Sequence, residues 1–187
     1  MRDPFAWSLP FGRLFGITIR VHILFPFIFL AVLLRTSVSK DAASGAWIDA
    51  FVMLTILFFC VLLHEFGHCY GAHISGGTPD KVLLWPLGGL ASSDIPHTPR
   101  AHFVTTIMGH AVKLFLAILD AIVLWSVYVL QPRWDPLTFL ARDDAGLMHL
   151  KTWSGETQSF SPLSAPVLWT HFFWINYLGF VLNMVVI

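Results

Sequence analysis

Apolar residues along this chain gather into four long blocks, at about Ile17 to Leu34, Ala46 to Ile74, Phe103 to Leu130 and Val167 to Ile187. Each approaches the roughly 20 residues that a helix needs to cross about 30 Å of hydrocarbon. The pattern therefore predicts a polytopic helical bundle of about four membrane spans, the first bent at Pro26. Between the second and third blocks the rhythm changes. GGTPDKVLLWPLGGLASSDIPHTPR is broken by glycine and proline around a strand-like run, Lys81 to Pro86. A loop with one or two short strands fits this stretch, and a further short strand is expected near the N-terminus. The segment from Gln131 to Pro166 is more polar and reads as an extramembrane connection.

Composition supports a membrane protein. Of the 187 residues 56% are hydrophobic and 12% charged, and the mean hydropathy is +0.71. Soluble domains carry roughly twice that share of charge. One membrane-embedded unit over residues 1–187 is the expectation, since neither a repeat nor a composition shift marks a second. Lysine plus arginine equal aspartate plus glutamate at 11 each, which leaves no basic patch for nucleic acid. Flanking charge does not orient the spans: Arg2, Arg13, Arg20, Lys81 and Arg100 on one side balance Arg35, Lys40, Arg133, Arg142 and Lys151 on the other. The N-terminus lacks the pattern of a cleaved signal peptide. The last residue falls inside an apolar block, so the core is expected to be cut in or before its final helix. Cys60 and Cys69 lie nine apart, on opposite sides of a helix, and read as buried thiols.

Candidate chemistry sits at the end of the second block, in LLHEFGHCYGAHISGG. His64, Glu65 and His68 form H-E-x-x-H. Residues four apart share a helix face, so two imidazoles can hold one zinc ion (Zn2+) while the glutamate reaches the water on it. Catalytic zinc takes a third protein ligand, leaves one position for water and lowers that water's pKa to about 7. Glu65 would serve as general base in peptide hydrolysis. It is the one glutamate outside the polar loop, and an ionisable group inside a bilayer is costly unless paired or bound to metal. The bland alternative is a satisfied polar cluster that packs helices together.

These residues resemble the site-2 protease family of intramembrane zinc metalloproteases. FGITIRVHILFPF, residues 15–27, is similar to the family's entry into its first core span, and LLHEFGHCYGA to its zinc-binding helix. WPLGGLA, residues 85–91, is similar to the glycine-containing loop that follows, and NYLGFVLNMVVI, residues 176–187, to the approach to the last core helix. The resemblance implies cleavage of the transmembrane segment of a membrane-anchored regulatory protein within the lipid bilayer. It also implies a multi-pass protein with its catalytic site nearer the cytosolic face. Gly88 and Gly89 would then lie where an unwound substrate pairs as an added strand; the bland reading is an ordinary loop.

Two departures from the family pattern bear on mechanism. The family's third ligand is an aspartate in L-D-G shortly after the asparagine that Asn183 matches, and the sequence ends at Ile187. Asp120, His110 or a second chain in a homo-oligomer could supply that ligand; Asp120 also reads as a partner for Lys113 or for another helix. In MGHAVKLFLA, residues 108–117, His110 and Lys113 stand where the family has proline and asparagine. Lys113, read as a substrate-binding residue, could stabilise a developing oxyanion if it faces the zinc, or could repel the metal and tie up Glu65 in an ion pair. These departures motivate an alternative function, a catalytically impaired relative that binds membrane-anchored partners without cutting them. A di-iron oxygenase lacks the histidine clusters it needs, and a haem site with His64 and His110 as axial ligands is a further alternative. His22, His73 and His171 read as polar residues near span ends. The tryptophans, Trp134 and Trp174 among them, read as interfacial anchors.

Overall fold

A computed structural model of the chain describes residues 7–39, 46–85, 88–131, 143 and 146–185. Its elements run β1 (Ser8–Leu14), β2 (Ile17–His22), α1 (Leu24–Val38), α2 (Ala46–Ile74), β3 (Thr78–Trp85), β4 (Gly88–Asp94), α3 (Pro99–Ser126), β5 (Met148–Lys151), β6 (Thr157–Phe160) and α4 (Ala165–Val185). Among the described residues α2, α3 and α4 are long and apolar enough to cross a membrane. α1, with 15 residues, rises only about 22 Å at 1.5 Å per residue, short of the hydrocarbon thickness. Three helices of spanning length therefore stand where four were expected.

The first block is not one helix. From Ile17 to His22 its side chains alternate, with Ile17, Ile19 and Val21 buried and their neighbours half-exposed, which is the period of a strand. The helix begins only at Leu24. Pro26 then falls in its first turn, where a missing N–H costs no hydrogen bond, so it starts α1 and does not bend it. The His22 imidazole accepts the Leu24 N–H at 3.2 Å, which fixes the strand-to-helix junction.

The chain forms two compact units: Met1–Ala31 with Phe58–Val112, and Val32–Leu57 with Lys113–Ile187. The first holds a four-stranded sheet ordered β1-β2-β3-β4. β1 and β2 make a hairpin whose two-residue turn, Phe15–Gly16, has both residues at positive φ, the conformation that matches strand twist. β2 and β3 pair in parallel, which requires the long crossover that α1 and α2 provide. β3 and β4 are antiparallel, with Leu84 opposite Gly89 and Trp85 opposite Gly88. β4 is an edge of this sheet. The expected strand from Lys81 is thus longer at its start; Pro86 and Leu87 lie outside the described residues.

In the second unit, Leu124, Leu130, Met148, Leu150, Val167, Phe173 and Trp174 form one apolar cluster. Within the polar segment after α3, the described residues include β5 and β6, paired antiparallel, and Met148 and Leu150 of β5 belong to that cluster. Trp174, expected at an interface, is 1% exposed; a large ring in a packed helix face is core. Trp134 lies outside the described residues. Cys60 and Cys69 are buried and form no disulfide with each other.

Candidate metal centre

The centre is built in the first unit by two helices that approach until their backbones nearly touch. Gly67 and Gly71 lie four apart on α2. A methyl group at Gly67 would stand 2.8 Å from the Met108 carbonyl oxygen and 2.9 Å from the Gly109 Cα. At Gly71 it would stand 2.9 Å from the Thr105 Cα. Small residues at this spacing let apolar helices come close without a hydrophobic driving force. On the same turns of α2 the histidines are carried toward α3.

His64 is 7% exposed and Glu65 3%, and His68 is half-buried. One ligand atom from each of the three lies within 4.8 Å of the others. The His64 and His68 Nε2 atoms are 3.2 Å apart. Two imidazole nitrogens bound to one tetrahedral zinc at about 2.0–2.1 Å stand about 3.4 Å apart. The pair is therefore already at the separation that a shared ion imposes. The His68 Nδ1–H donates to the Thr105 carbonyl at 2.8 Å, which assigns its proton to Nδ1 and leaves the Nε2 lone pair facing His64. A carbonyl in that place is the usual partner that holds a metal-binding imidazole in its ring orientation. Either His64 donates its own Nε2–H across the gap, or the two lone pairs face a cation.

Further groups close the centre. A Cβ on Gly89 would overlap the Cγ and carboxyl of Glu65, and a Cβ on Gly109 would overlap the His68 ring. The β4 edge thus lies directly against the glutamate, and α3 directly against the histidine. Gly88, by contrast, has only the Trp85 indole near it, at 3.8 Å. His110 is 7% exposed, with its ring centre 5.5 Å from that of His64 and 5.9 Å from that of His68.

Other candidates stand elsewhere. Lys113 and Asp120 belong to the second unit. A Cβ on Gly179 would come within 2.8 Å of the Lys113 Nζ, so α4 is bare where that side chain passes. Asp120 is fully buried, and Asn176 of α4 donates to it at a long 3.5 Å and to the Phe172 carbonyl at 2.9 Å. The expectation that Asp120 partners another helix agrees with this arrangement. His73 is exposed in the last turn of α2, and His171 is buried in the second unit, where its Nδ1–H donates to the Val167 carbonyl at 2.7 Å. An apolar groove of about 510 Å³ in that unit, lined by Phe51, Ile56, Trp169 and Phe172 among others, presents no titratable side chain.

Sequence reasoning passed over Gly67, Gly71, Gly109 and the carbonyls of Thr105 and of Thr106, the latter accepting the His110 Nδ1–H at 2.9 Å. The first two were open to it, since G-x-x-x-G inside an apolar block marks a helix-packing face. The carbonyls carry no side-chain signal at all.

No protein-family model matches the chain. Among curated proteins, it is 36% identical over 88 residues to zinc metalloprotease MJ0392 of Methanocaldococcus jannaschii, covering 47% of this chain and 24% of that protein. It is 32% identical over 124 residues to Rip3 of Mycobacterium tuberculosis, provisionally named a zinc metalloprotease, covering 63% of this chain and 30% of Rip3. The chain thus spans about a quarter to a third of the length of these relatives. Among solved structures, the site-2 protease from Methanocaldococcus jannaschii superposes with a TM-score of 0.63 at 24% identity, covering 96% of this chain and 65% of that one. The fold is that of a site-2 protease, and the cluster at His64, Glu65 and His68 is compatible with the zinc in the relatives' names.

Proposed function

From this likeness, in sequence to zinc metalloproteases and in fold to a site-2 protease, we propose that the chain carries the core of an intramembrane zinc endopeptidase. The observation that carries the reading is the 3.2 Å approach of the His64 and His68 Nε2 atoms beside a buried carboxylate on an apolar helix. His64 and His68 hold the ion. When bound there, zinc supplies Lewis acidity, which lowers the pKa of a water to about 7 and polarises a carbonyl.

The chain's own residues do the rest. Glu65 accepts a proton from the attacking water as its oxygen bonds to the scissile carbonyl carbon, and returns a proton to the amine nitrogen as the C–N bond breaks. Thr105 holds His68 in orientation. Gly89, with no side chain, lets the β4 edge lie against Glu65, and Gly88 continues that edge. An extended substrate segment adds to β4 as a further strand, which presents its peptide groups in order along the glutamate. A substrate helix must unwind to bind so, because helical N–H and C=O groups are already paired. Lys113, one turn beyond Gly109 on α3, is assigned to the substrate side by its place in the sequence.

The substrate class is a membrane-anchored protein cut within its transmembrane segment, in a bilayer, with the catalytic face toward the cytosol. Co-expression with a library of tagged single-span proteins tests this: cleavage inside a span, absent with Glu65→Gln, is the expected result. Cleavage confined to soluble peptides would contradict it.

A further inference from the structure

The β4 edge changes character along its length. Gly88, Gly89, Leu90 and Ala91 are small or apolar, whereas Ser92, Ser93 and Asp94 are polar. Both ends of this run are placed against α2. At one end Gly89 lies on the Glu65 carboxyl, and at the other a Cβ on Gly77 would overlap the Asp94 carbonyl oxygen. The strand therefore ends beside the residues where α2 stops. The two lengths agree: Glu65 to Ile74 is about 14 Å of helix, and Gly89 to Asp94 is about 17 Å of strand. Since α2 is long and apolar enough to cross a membrane, β4 runs from the depth of the glutamate to the polar end of a span.

Charge sharpens the polar end. Lys81, opposite Ser92 on β3, is taken up by Asp80 at 3.3 Å. Asp94 is exposed and forms no ion pair among the described residues. Where a membrane-anchored protein leaves the bilayer on the cytosolic side, its flank is enriched in lysine and arginine. An extended segment laid along β4 thus meets small and apolar residues beside Glu65, and a carboxylate where its own cationic flank begins. The opposite placement would set that flank at the depth of the glutamate, where an unpaired charge is costly.

We propose that β4 sets the distance between the cut and the substrate's flank, with Asp94 as the specificity-determining residue that receives a basic side chain just outside the transmembrane segment. This rests on the strand addition of the preceding subsection. Paired strands rise by the same amount per residue, so the peptide bond presented to Glu65 lies about five residues inside the basic flank. The spacing is the same for parallel and antiparallel addition; the direction decides only whether the flank precedes or follows the cut.

The test is a series of single-span reporters that differ only in the position of a Lys-Lys pair at the end of the span, with a matching Glu-Glu series. They are co-expressed with wild type, Asp94→Lys and Glu65→Gln, and the products are mapped by mass spectrometry. In the wild type the cut should move with the lysine pair and stay about five residues inside it. Asp94→Lys should shift the ratio of basic-flank to acidic-flank cleavage by about tenfold or more toward the acidic series, since attraction becomes repulsion and each is worth up to about fivefold at an exposed pair. A cut that keeps its place in the sequence while the pair moves, or an unchanged ratio in Asp94→Lys, would overturn the proposal and leave the protease reading intact. Wild type that cuts no reporter, or cuts no better than Glu65→Gln, overturns both. If Asp94→Lys does not fold, the movement of the cut in the wild type decides alone.

Discussion

Two buried polar clusters interrupt the apolar helices among the described residues of this protein, and they are built from different groups. At Asp120 and Asn176 a carboxyl and an amide face each other, and the amide is also tied to the Phe172 carbonyl of its own helix. One long contact of 3.5 Å links α3 to α4 there, while Asp120 Oδ1 and Asn176 Oδ1 stay buried with no hydrogen-bond partner among the described residues. At His64 and His68 the Thr105 carbonyl takes up the His68 Nδ1 proton and the two Nε2 atoms stand 3.2 Å apart, with the His110 ring nearby and its Nδ1–H on the Thr106 carbonyl. The first joins two helices through an amide and a carboxyl; the second holds two imidazole nitrogens at the spacing of a shared ion. Burial of polar groups in a membrane helix is thus informative only when the direction of the hydrogen bonds is known.

The largest effect that separates the two clusters is expected at Glu65. Glu65→Gln should lower cleavage of a transmembrane reporter by about 100- to 10,000-fold, the range of a lost general base, while zinc content and fold stay unchanged. Equal cleavage by the variant would mean that the cluster is a polar packing device like the one at Asp120. A pure binder of membrane-anchored partners would likewise be indifferent to this change.

Gly89→Ala should follow. Its methyl group must displace the Glu65 carboxyl, and misplacement by about 1 Å can cost about a hundredfold in rate. Gly88→Ala meets only ordinary contact with Trp85, and its cost comes from φ +158°, which alanine rarely adopts, so it should lose less than Gly89→Ala. Equal loss at both positions would show that β4 acts through its general conformation and not through contact with the glutamate. On the other side of the comparison, Asn176→Ala should lower stability by about 1 kcal/mol, the scale of an interhelical hydrogen bond in a membrane. Thermal unfolding would read this, and zinc content should not move. The smallest effect is expected at Lys113→Asn, which should keep or raise cleavage; a large loss would assign the lysine a positive role in the reaction.

Much of this was legible in the sequence. The bounds of α2 follow from an uninterrupted apolar block that ends at Gly76 and Gly77, and His64, Glu65 and His68 are marked by helical spacing alone. Ile17 to His22 was misread because its apolar content resembles a span, although the alternation of Ile17, Ile19 and Val21 with Thr18, Arg20 and His22 carries the period of a strand. β5 and β6 are four residues each, too short and too polar for any periodicity to register. His110 could be flagged as an imidazole on the third block, but the orientation of its Nε2 depends on the Gly67–Gly71 face that seats α3 against α2. Position along a chain says nothing of which way a lone pair points.

The most direct measurement of the central claim is zinc per chain in the purified protein, beside a His68→Ala control. About one zinc per chain, lost in the control, is the predicted result. A protein that folds with both histidines intact and carries no zinc, even after incubation with the metal, would contradict it.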